Sequence, residues 1–326
     1  MSSSYIYAGT KATTLKRTLL TNDQLEILLA GENFEAGYQS LHETFMGPYI
    51  ARKKDSELSK ALEEVISDTK DLLNSIAPNK ELLDILWLKY DYYNLQAIIK
   101  GEKIVLSNEE IENRCFTSGK FSPQKLLEKY QQGKLSQLDK NIDKAFKSLG
   151  KNPRSSEISS ITNYYYFISI KQISDKYKDK FIDQYVKLLI DNHNLVSGLR
   201  YFAHRTDEQN PSPIYVPGGN FNQKDLQKPE SIIEKLSKLG SDSEDWKEAI
   251  STYEKNNSYT ELEKVLDDRI SKFLKQESRN IFSPAPLFAY FQAKKNNVQL
   301  IRMILIGKKT GLSEYEIKKM LRKRFE

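Results

Sequence analysis

A short motif that recurs at nearly equal intervals constrains the fold of this chain more than any other feature of its sequence. The motif is a polar residue followed three positions later by an asparagine, and its copies are Asp91-x-x-Asn94, Asp191-x-x-Asn194 and Lys294-x-x-Asn297. The three asparagines are 100 and 103 residues apart. A spacing that is kept twice predicts a unit repeated three times, although length alone would suggest about two domains.

The patterns between the motif copies predict helices. Apolar residues recur at helical spacing, as in residues 56–76, and almost no segment alternates with period two. Residues 164–167 are aromatic and have strand propensity, but the helical pattern that follows them favours a helix. We therefore predict an all-α fold of three related units, residues 1–104, 105–209 and 210–326. Residues 206–222, with three prolines and two adjacent glycines, are the best candidate for a linker.

The C-terminal part of the sequence predicts three helices. Ser283 and two prolines suit the start of the first helix. The second runs from about Asn296 to Gly307 and is apolar nearly all round, so we expect it to be buried. The third begins after Ser313, which forms a capping box with a glutamate three residues later. The same capping pattern precedes two earlier helices, at Thr21 and Ser107.

The polar residues of the repeated motif are the candidate functional residues, namely Asp91, Asn94, Asp191, Asn194 and Asn297. An asparagine inside a helix costs up to about 0.7 kcal/mol relative to alanine, so each copy needs a compensating interaction. One hypothesis is a buried hydrogen bond to a neighbouring chain segment, whose loss would cost about 1 to 3 kcal/mol for each unsatisfied group. The alternative hypothesis is an inward-facing contact with a partner.

The sequence contains no recognisable pattern for catalysis, metal binding or cofactor binding. Gly307-Lys308-Lys309 lacks both the upstream glycine and the hydroxyl residue of a phosphate-binding loop. His193 and His204 have no cysteine or carboxylate trio at metal-ligand spacing. Cys115 alone does not indicate a thiol nucleophile, because a nearby base cannot be identified from sequence. We therefore predict a protein that is not an enzyme and uses neither metal nor cofactor.

Charge and cysteine usage exclude several classes of protein. The net charge is +6, and residues 302–326 carry +5 of it, so the excess is local and does not predict a nucleic-acid-binding face. A single cysteine and the lack of an apolar run after Met1 predict neither a disulfide framework nor a secretory signal. The longest apolar run, Leu300 to Ile306, is far shorter than the roughly 20 residues that span a bilayer. We expect a cytoplasmic protein that reaches any membrane through a partner.

Three blocks of sequence, in the same order, resemble the C subunit of the prokaryotic V-type and A-type ATP synthases, a relative of the d subunit of V-type ATPases. The blocks are Lys89-Tyr90-Asp91-Tyr92-Tyr93-Asn94-Leu95, Ile190-Asp191-Asn192-His193-Asn194-Leu195, and a C-terminal block of Ala293-Lys294, Val298, Ile301-Arg302, Ile304-Leu305, Gly307-Lys308 and Gly311-Leu312 through Leu321-Arg322. Lys295 and Asn297 stand where this family often has glutamates, so no charged role is transferred to them.

The resemblance implies a non-catalytic central-stalk subunit of a rotary ATPase, with three helical domains forming a funnel around a pseudo-threefold axis. Its implied role is that of a socket between the rotor shaft, made of the D and F subunits, and the membrane proteolipid ring, in proton or other ion transport or in ATP synthesis. The implied location is peripheral, on the inner face of the cell membrane. The repeat and the composition alone would support a helical-repeat scaffold for another protein or RNA equally well. An enzyme with an unrecognised site is a third alternative.

Overall fold

The computed structural model describes residues 2–203, 214–226, 228–239, 244–256 and 258–321. Helices hold 77% of the residues, and no strand occurs in these ranges, so the predicted all-α fold is confirmed. The division into three repeated units around a pseudo-threefold axis stays a prediction.

The described ranges contain helices of very different lengths. The α-helices are α1 (Ile6–Leu15), α2 (Asn22–Ala30), α3 (Phe34–Ser40), α4 (Gly47–Ile50), α5 (Leu58–Ile76), α6 (Lys80–Lys103), α7 (Asn108–Glu112), α8 (Pro123–Gln131), α9 (Lys140–Lys147), α10 (Ser155–Tyr177), α11 (Lys180–Ala203), α12 (Pro229–Leu239), α13 (Glu244–Asn256), α14 (Thr260–Glu277), α15 (Ala285–Lys309) and α16 (Glu314–Met320). Short 3-10 helices occupy Ser2–Tyr5, Lys16–Thr18, Leu41–Glu43, Asp55–Glu57, Leu135–Gln137 and Gln223–Leu226. Residues 164–167 lie inside α10, which confirms the helix predicted for them.

The chain divides into two compact units, and the first, unit 1, combines its two ends, Met1–Leu83 and Ser271–Glu326. Helix α15 is the centre of unit 1, because α1, α2, α3, α5 and α16 all pack against it. Leu287, Phe288 and Ile301 of α15 are completely buried. Complete burial of one such side chain stabilises the fold by about 1.5 to 3 kcal/mol, so α15 contributes a large part of the core of unit 1.

The second unit, unit 2, is Asp84–Ile270. Helix α10 packs on α9 and α11, α11 packs on α12, and α12 packs on α13. The hydroxyl groups of Tyr92 in α6 and Ser169 in α10 form a buried hydrogen bond of 2.8 Å. A separate apolar core lies among the later helices of this unit and consists of Leu195, Leu199, Ile232, Leu236, Trp246, Ala249, Tyr253, Leu262, Val265 and Leu266.

Helix α15 differs from the prediction in its continuity. The prediction of two helices that meet near Asn296 is wrong, because one helix runs from Ala285 to Lys309. Asn297 does not interrupt it, since its side-chain Nδ2 donates to the carbonyl oxygen of Ala293, 2.9 Å away and one turn earlier. Gly307, the predicted end, lies inside the last turn. The predicted burial of this segment is confirmed for Val298, Leu300, Ile301, Ile304 and Leu305, but it is wrong for Ile306, which is 51% exposed.

The three predicted capping boxes are confirmed. Thr21 Oγ1 accepts a hydrogen bond from the backbone N–H of Gln24, and the side chain of Gln24 accepts one from the backbone N–H of Thr21. Ser107 and Ser313 make the same reciprocal pair with a glutamate three residues later. Each box satisfies two backbone N–H groups that would otherwise lack a partner at a helix start, and so fixes where the helix begins.

Candidate functional site

The polar residues of the repeated motif lie on buried faces of α6, α11 and α15. Asp91, Asn94 and Asp191 have 0% of their surface exposed, and Asn194 and Asn297 have 4% and 1%. Within α6 and α11, the spacing of three residues places the aspartate and the asparagine on the same face. Buried polar groups in proteins are almost always hydrogen-bonded, so the partners of these side chains define what they do.

In unit 2, side chains of α6 form hydrogen bonds with the backbone of residues 116–121, the segment that leads into α8. Asn94 Nδ2 donates to the carbonyl oxygen of Phe116 at 2.8 Å, and Asn94 Oδ1 accepts from the backbone N–H of the same residue at 2.7 Å. The Asp91 carboxylate accepts from the backbone N–H groups of Lys120 at 2.9 Å and Phe121 at 3.0 Å. We call these five residues the first clamp. The segment is therefore held at both ends by one face of α6.

Helix α11 makes the same arrangement, which we call the second clamp. Asn194 Nδ2 donates to the carbonyl oxygen of Val216 at 2.8 Å, and its Oδ1 accepts from the backbone N–H of Val216 at 3.0 Å. Asp191 accepts from the backbone N–H groups of Asn220 at 2.7 Å and Phe221 at 3.3 Å. Each residue of the second clamp lies 100 residues after its counterpart in the first.

Three residues of the second clamp, Val216, Asn220 and Phe221, lie within the predicted linker, residues 206–222. Residues 206–213 of that segment lie outside the described residues, whereas residues 214–222 form no α-helix. Val216 within them is completely buried, and the backbone at Asn220 and Phe221 is bonded to Asp191. The described half of the predicted linker is therefore anchored to unit 2 by buried side chains.

Sequence reasoning did not connect two glycines, which complete the clamps, with the aspartates of the motif. A Cβ atom added to Gly119 would lie 2.4 Å from Asp91 Oδ1, and one added to Gly219 would lie 2.3 Å from Asp191 Oδ1. Any side chain at these positions would displace the carboxylate. The signal that could have found them is the same 100-residue spacing, which is also kept by Gly119-x-Phe121 and Gly219-x-Phe221.

The third motif copy lies in α15 of unit 1 and makes different contacts. Asn297 Oδ1 accepts a hydrogen bond of 2.8 Å from the backbone N–H of Leu20, so it holds a segment near the start of the chain. Lys294, which replaces the aspartate, places its ammonium group 3.7 Å from the centroid of the Phe45 ring. Burial lowers the pKa of Lys294 to about 8. This copy therefore ties the N-terminal and C-terminal parts of unit 1 together.

By its contacts, Asn297 corresponds to the aspartates of the two clamps. Leu20 directly precedes Thr21, the N-cap of α2, just as Phe121 directly precedes the N-cap of α8. In both places a buried polar side chain accepts a hydrogen bond from the N–H just before a helix cap. The sequence motif instead aligns Asn297 with Asn94, and the superposition of all three copies at their asparagines stays a prediction.

The chemistry that the clamps support is hydrogen bonding to the backbone. Burial raises the pKa of Asp191, while hydrogen bonds from Asn220 and Phe221 and the charge of Arg269 act in the opposite direction. The carboxylate accepts these bonds as fixed contacts and holds the loop in one conformation. Among the described residues, no group of three or more histidine, cysteine, aspartate or glutamate side chains is placed to hold a metal ion.

His193 lies between the two polar residues of the second clamp and is part of the protein interior. Its ring packs against Phe167 of α10, with 4.5 Å between the ring centroids. Burial lowers the pKa of His193 to about 4, and the positive charges of Lys89 and Arg200 add to this shift. His193 is therefore neutral in the folded protein near pH 7. His204 lies outside the described residues.

Acidification is expected to destabilise the protein through His193. Between pH 6.5 and pH 4 the unfolded chain binds a proton at this histidine and the folded protein does not, so stability falls as the pH falls. At about 1.4 kcal/mol per pKa unit, the loss should reach about 2.5 kcal/mol at pH 4.5. Urea unfolding at pH 7 and pH 4.5 measures it. His193→Gln serves as the reference, because carboxylates titrate equally in both proteins, and an equal loss in the variant would contradict the assignment.

Comparison with known proteins gives consistent matches over nearly the whole chain. The family model described as ATP synthase (C/AC39) subunit matches residues 8–320, a span that includes both clamps and Asn297. The C subunit of the A-type ATP synthase of Methanocaldococcus jannaschii is 24% identical over an alignment of 342 positions, which covers 97% of this chain and 86% of that protein. The C subunit of the V-type sodium ATPase of Enterococcus hirae is 20% identical over 316 residues, which cover 94% of this chain and 95% of that protein.

A further relative, the C subunit of the A-type ATP synthase of Thermococcus onnurineus, is 21% identical over an alignment of 344 positions, which covers 97% of this chain and 90% of that protein. The identities are low, but each alignment extends over almost the full length of both proteins. The family model likewise leaves only a few residues unmatched at either end. The chain therefore belongs to the ATP synthase (C/AC39) subunit family.

Proposed function

We propose that this protein is the central-stalk subunit of a rotary V-type or A-type ATPase that couples the rotor shaft to the membrane proteolipid ring. It would serve as a socket in ATP-driven ion transport or in ATP synthesis. The observation that carries the proposal is the family match over residues 8–320. Two of its relatives are named as the C subunits of an A-type ATP synthase and of a V-type sodium ATPase, which are synthesising and ion-pumping complexes respectively.

The coarser assignment follows from family membership. The chain is a non-catalytic accessory subunit of an ATP synthase or ATPase complex. An accessory subunit in the rotor of such a complex contributes by transmitting torque. Torque requires a body that deforms little, and protein interiors packed to crystal-like density have that property.

Two features of the fold support a stiff body. Helix α15 is buried along most of its length and contacts most other helices of unit 1. In unit 2, the clamps bond the backbone of two connecting segments to buried side chains of α6 and α11. Connecting segments are usually the most mobile parts of a protein, so holding them from the interior reduces the motion that would absorb torque.

The proposal assigns partners on two sides of the protein. The shaft would be formed by the D and F subunits, and the proteolipid ring would lie on the membrane side. In the ranges that the structure describes, no helix is long and apolar enough to cross a membrane. We propose that the protein is held peripherally, at the inner face of the cell membrane, by its contacts with these partners.

Affinity purification from detergent-solubilised native membranes tests the proposal. With a tag on this chain, the catalytic subunits, the shaft subunits and the proteolipid should co-purify in fixed ratios. A washed preparation from cells that express the free tag is the control. Recovery of the chain without ring, shaft and catalytic subunits would contradict the proposed function, and recovery with RNA instead would favour a helical-repeat scaffold.

A further inference from the structure

The turn that ends α6 contains a strained valine. Val105 has a φ angle of 58°, in the left-handed region, and 89% of its surface is exposed. Its backbone N–H donates to the carbonyl oxygen of Glu102 at 3.1 Å, and the next N–H, of Leu106, donates to the carbonyl oxygen of Gly101 at 3.0 Å. These two bonds are those of a Schellman turn, in which the left-handed position is usually a glycine.

The same turn occurs at the end of α15 and has the usual residue. Gly311, with a φ angle of 79°, donates to the carbonyl oxygen of Lys308 at 3.1 Å, and Leu312 donates to that of Gly307 at 2.9 Å. The packing at the two helix ends is also the same. A Cβ atom on Gly101 would lie 2.6 Å from Ile111, and one on Gly307 would lie 2.8 Å from Ile317. Val105 and Gly311 therefore occupy equivalent positions in two copies of one structure.

The fold gains nothing from a valine at this position. A left-handed conformation is unfavourable for any residue with a Cβ atom and more so for a β-branched one. The side chain is almost wholly exposed, so contacts within the protein do not offset this strain. Strained residues of this kind cluster at sites where they serve a function. An exposed aliphatic side chain that is costly to the isolated protein points to a partner.

The surroundings of Val105 define the kind of partner. Ile104, 62% exposed, lies beside it, so two aliphatic side chains protrude from the turn. Glu109 and Glu110 follow closely and are exposed, while Lys103 uses its ammonium group to donate to the carbonyl oxygen of Pro153 at 2.7 Å. Residues 100–114 hold four glutamates and three lysines or arginines, a net charge of −1, so they offer no basic excess that would attract anionic lipid headgroups. The exposed pair Glu109 and Glu110 complements a protein surface with basic side chains at its rim.

We propose that Ile104 and Val105 form a docking tip that enters an apolar pocket with a basic rim on another protein of the ATPase complex. This inference rests on the proposed function, because it takes the neighbour from the same complex. The strain at Val105 is then the cost, in the isolated protein, of presenting an aliphatic side chain at the more exposed of these two positions of the turn. The contact is small and acts together with the rest of the interface.

Two variants distinguish the effect of the apolar side chains from the effect of the backbone strain. Val105→Gly removes the valine side chain and the strain together, and should raise the Tm of the isolated chain by about 2 °C while weakening its assembly. Ile104→Ser removes apolar surface without changing the left-handed position, and should weaken assembly without raising the Tm. Ile27→Ser in unit 1, where the isoleucine is 60% exposed, is the matched control.

Assembly is measured as the dissociation constant of each purified chain for the ATPase complex isolated from a strain that lacks this protein. Both tip variants should bind about ten-fold more weakly than the unaltered chain, and the control should bind equally well. Equal affinity of the tip variants, or an equal loss in the control, would overturn this inference alone. Failure of the unaltered chain to bind would overturn the proposed function as well. If the unaltered chain binds protein-free anionic phosphatidylglycerol vesicles and both tip variants lose this binding, the docking-tip proposal is overturned, because the tip would then contact lipid.

Discussion

Replacing Asp91 by alanine is expected to lower the free energy of unfolding by about 3 kcal/mol. The substitution removes the carboxylate that accepts hydrogen bonds from the backbone N–H groups of Lys120 and Phe121. Asp91 is completely buried, so water does not readily replace it as an acceptor. Each buried donor left without a partner costs about 1 to 3 kcal/mol. Asp191→Ala should have an effect of the same size in the second clamp.

Urea unfolding followed by circular dichroism measures this change. Asp84→Asn is the matched control, because Asp84 lies on the same helix and its carboxylate pairs with the Lys120 side chain at 2.6 Å. Ion pairs near the surface contribute about 0.2 to 1 kcal/mol, so the control should be mild. Asp91→Asn keeps one acceptor oxygen and should give an intermediate loss. A loss for Asp91→Ala no larger than that for Asp84→Asn would contradict the structural role of the clamp.

A chain that stops before Asn296 is expected to lose the folded structure of unit 1. The truncation removes half of α15 and all of α16, and with them the buried side chains of Val298, Leu300, Ile301, Ile304, Leu305 and Ile317. Each such side chain contributes about 1.5 to 3 kcal/mol by burial. Their sum equals or exceeds the roughly 5 to 15 kcal/mol by which domains are stable. Leu20 also loses its hydrogen bond to Asn297.

Hydrogen exchange read out by mass spectrometry measures this loss segment by segment. Backbone amides of α1, α2, α3 and α5 should lose protection in the truncated chain, because these helices pack on α15. A chain that lacks only residues 322–326 is the control and keeps every described helix. Unchanged protection of these helices in the longer truncation would show that α15 is not the centre of unit 1.

Features of the fold that depend on a few neighbouring residues could be predicted from the sequence. The capping boxes at Thr21, Ser107 and Ser313 each need only a hydroxyl and an acidic or amide side chain three residues apart, and all three are confirmed. The all-α class followed from periodicity alone. The predicted break near Asn296 is wrong, because the single helix accommodates Asn297 with a hydrogen bond from its side chain to the backbone one turn earlier.

Only the side chains of the clamps, and not the backbone groups that they bind, could be identified from the sequence. The spacing of 100 residues singled out Asp91 and Asn94 and their counterparts, but not the backbone groups that they hold. Those groups lie 22 to 30 residues further along, and no local pattern encodes such a distance. Gly119 and Gly219 share the spacing and would have marked these segments.

The contacts of Asn297 could not have been derived from the repeat. Its partner, Leu20, is 277 residues away and lies before the motif copy in the chain, whereas the partners of the two clamps lie after theirs. A repeated sequence indicates which residues are equivalent but not how the two ends of the chain meet. The strain at Val105 was equally hidden, because only the backbone angle identifies it.

The coupling role is tested most directly by measuring ATP hydrolysis and ion pumping together, in membranes whose ATPase contains the chain truncated before Asn296. With unit 1 unfolded, the shaft and the ring would no longer be joined through this protein. We expect hydrolysis to continue while ion pumping falls to background, and the chain that lacks only residues 322–326 to support both. Ion pumping retained by the chain truncated before Asn296 would contradict the coupling role.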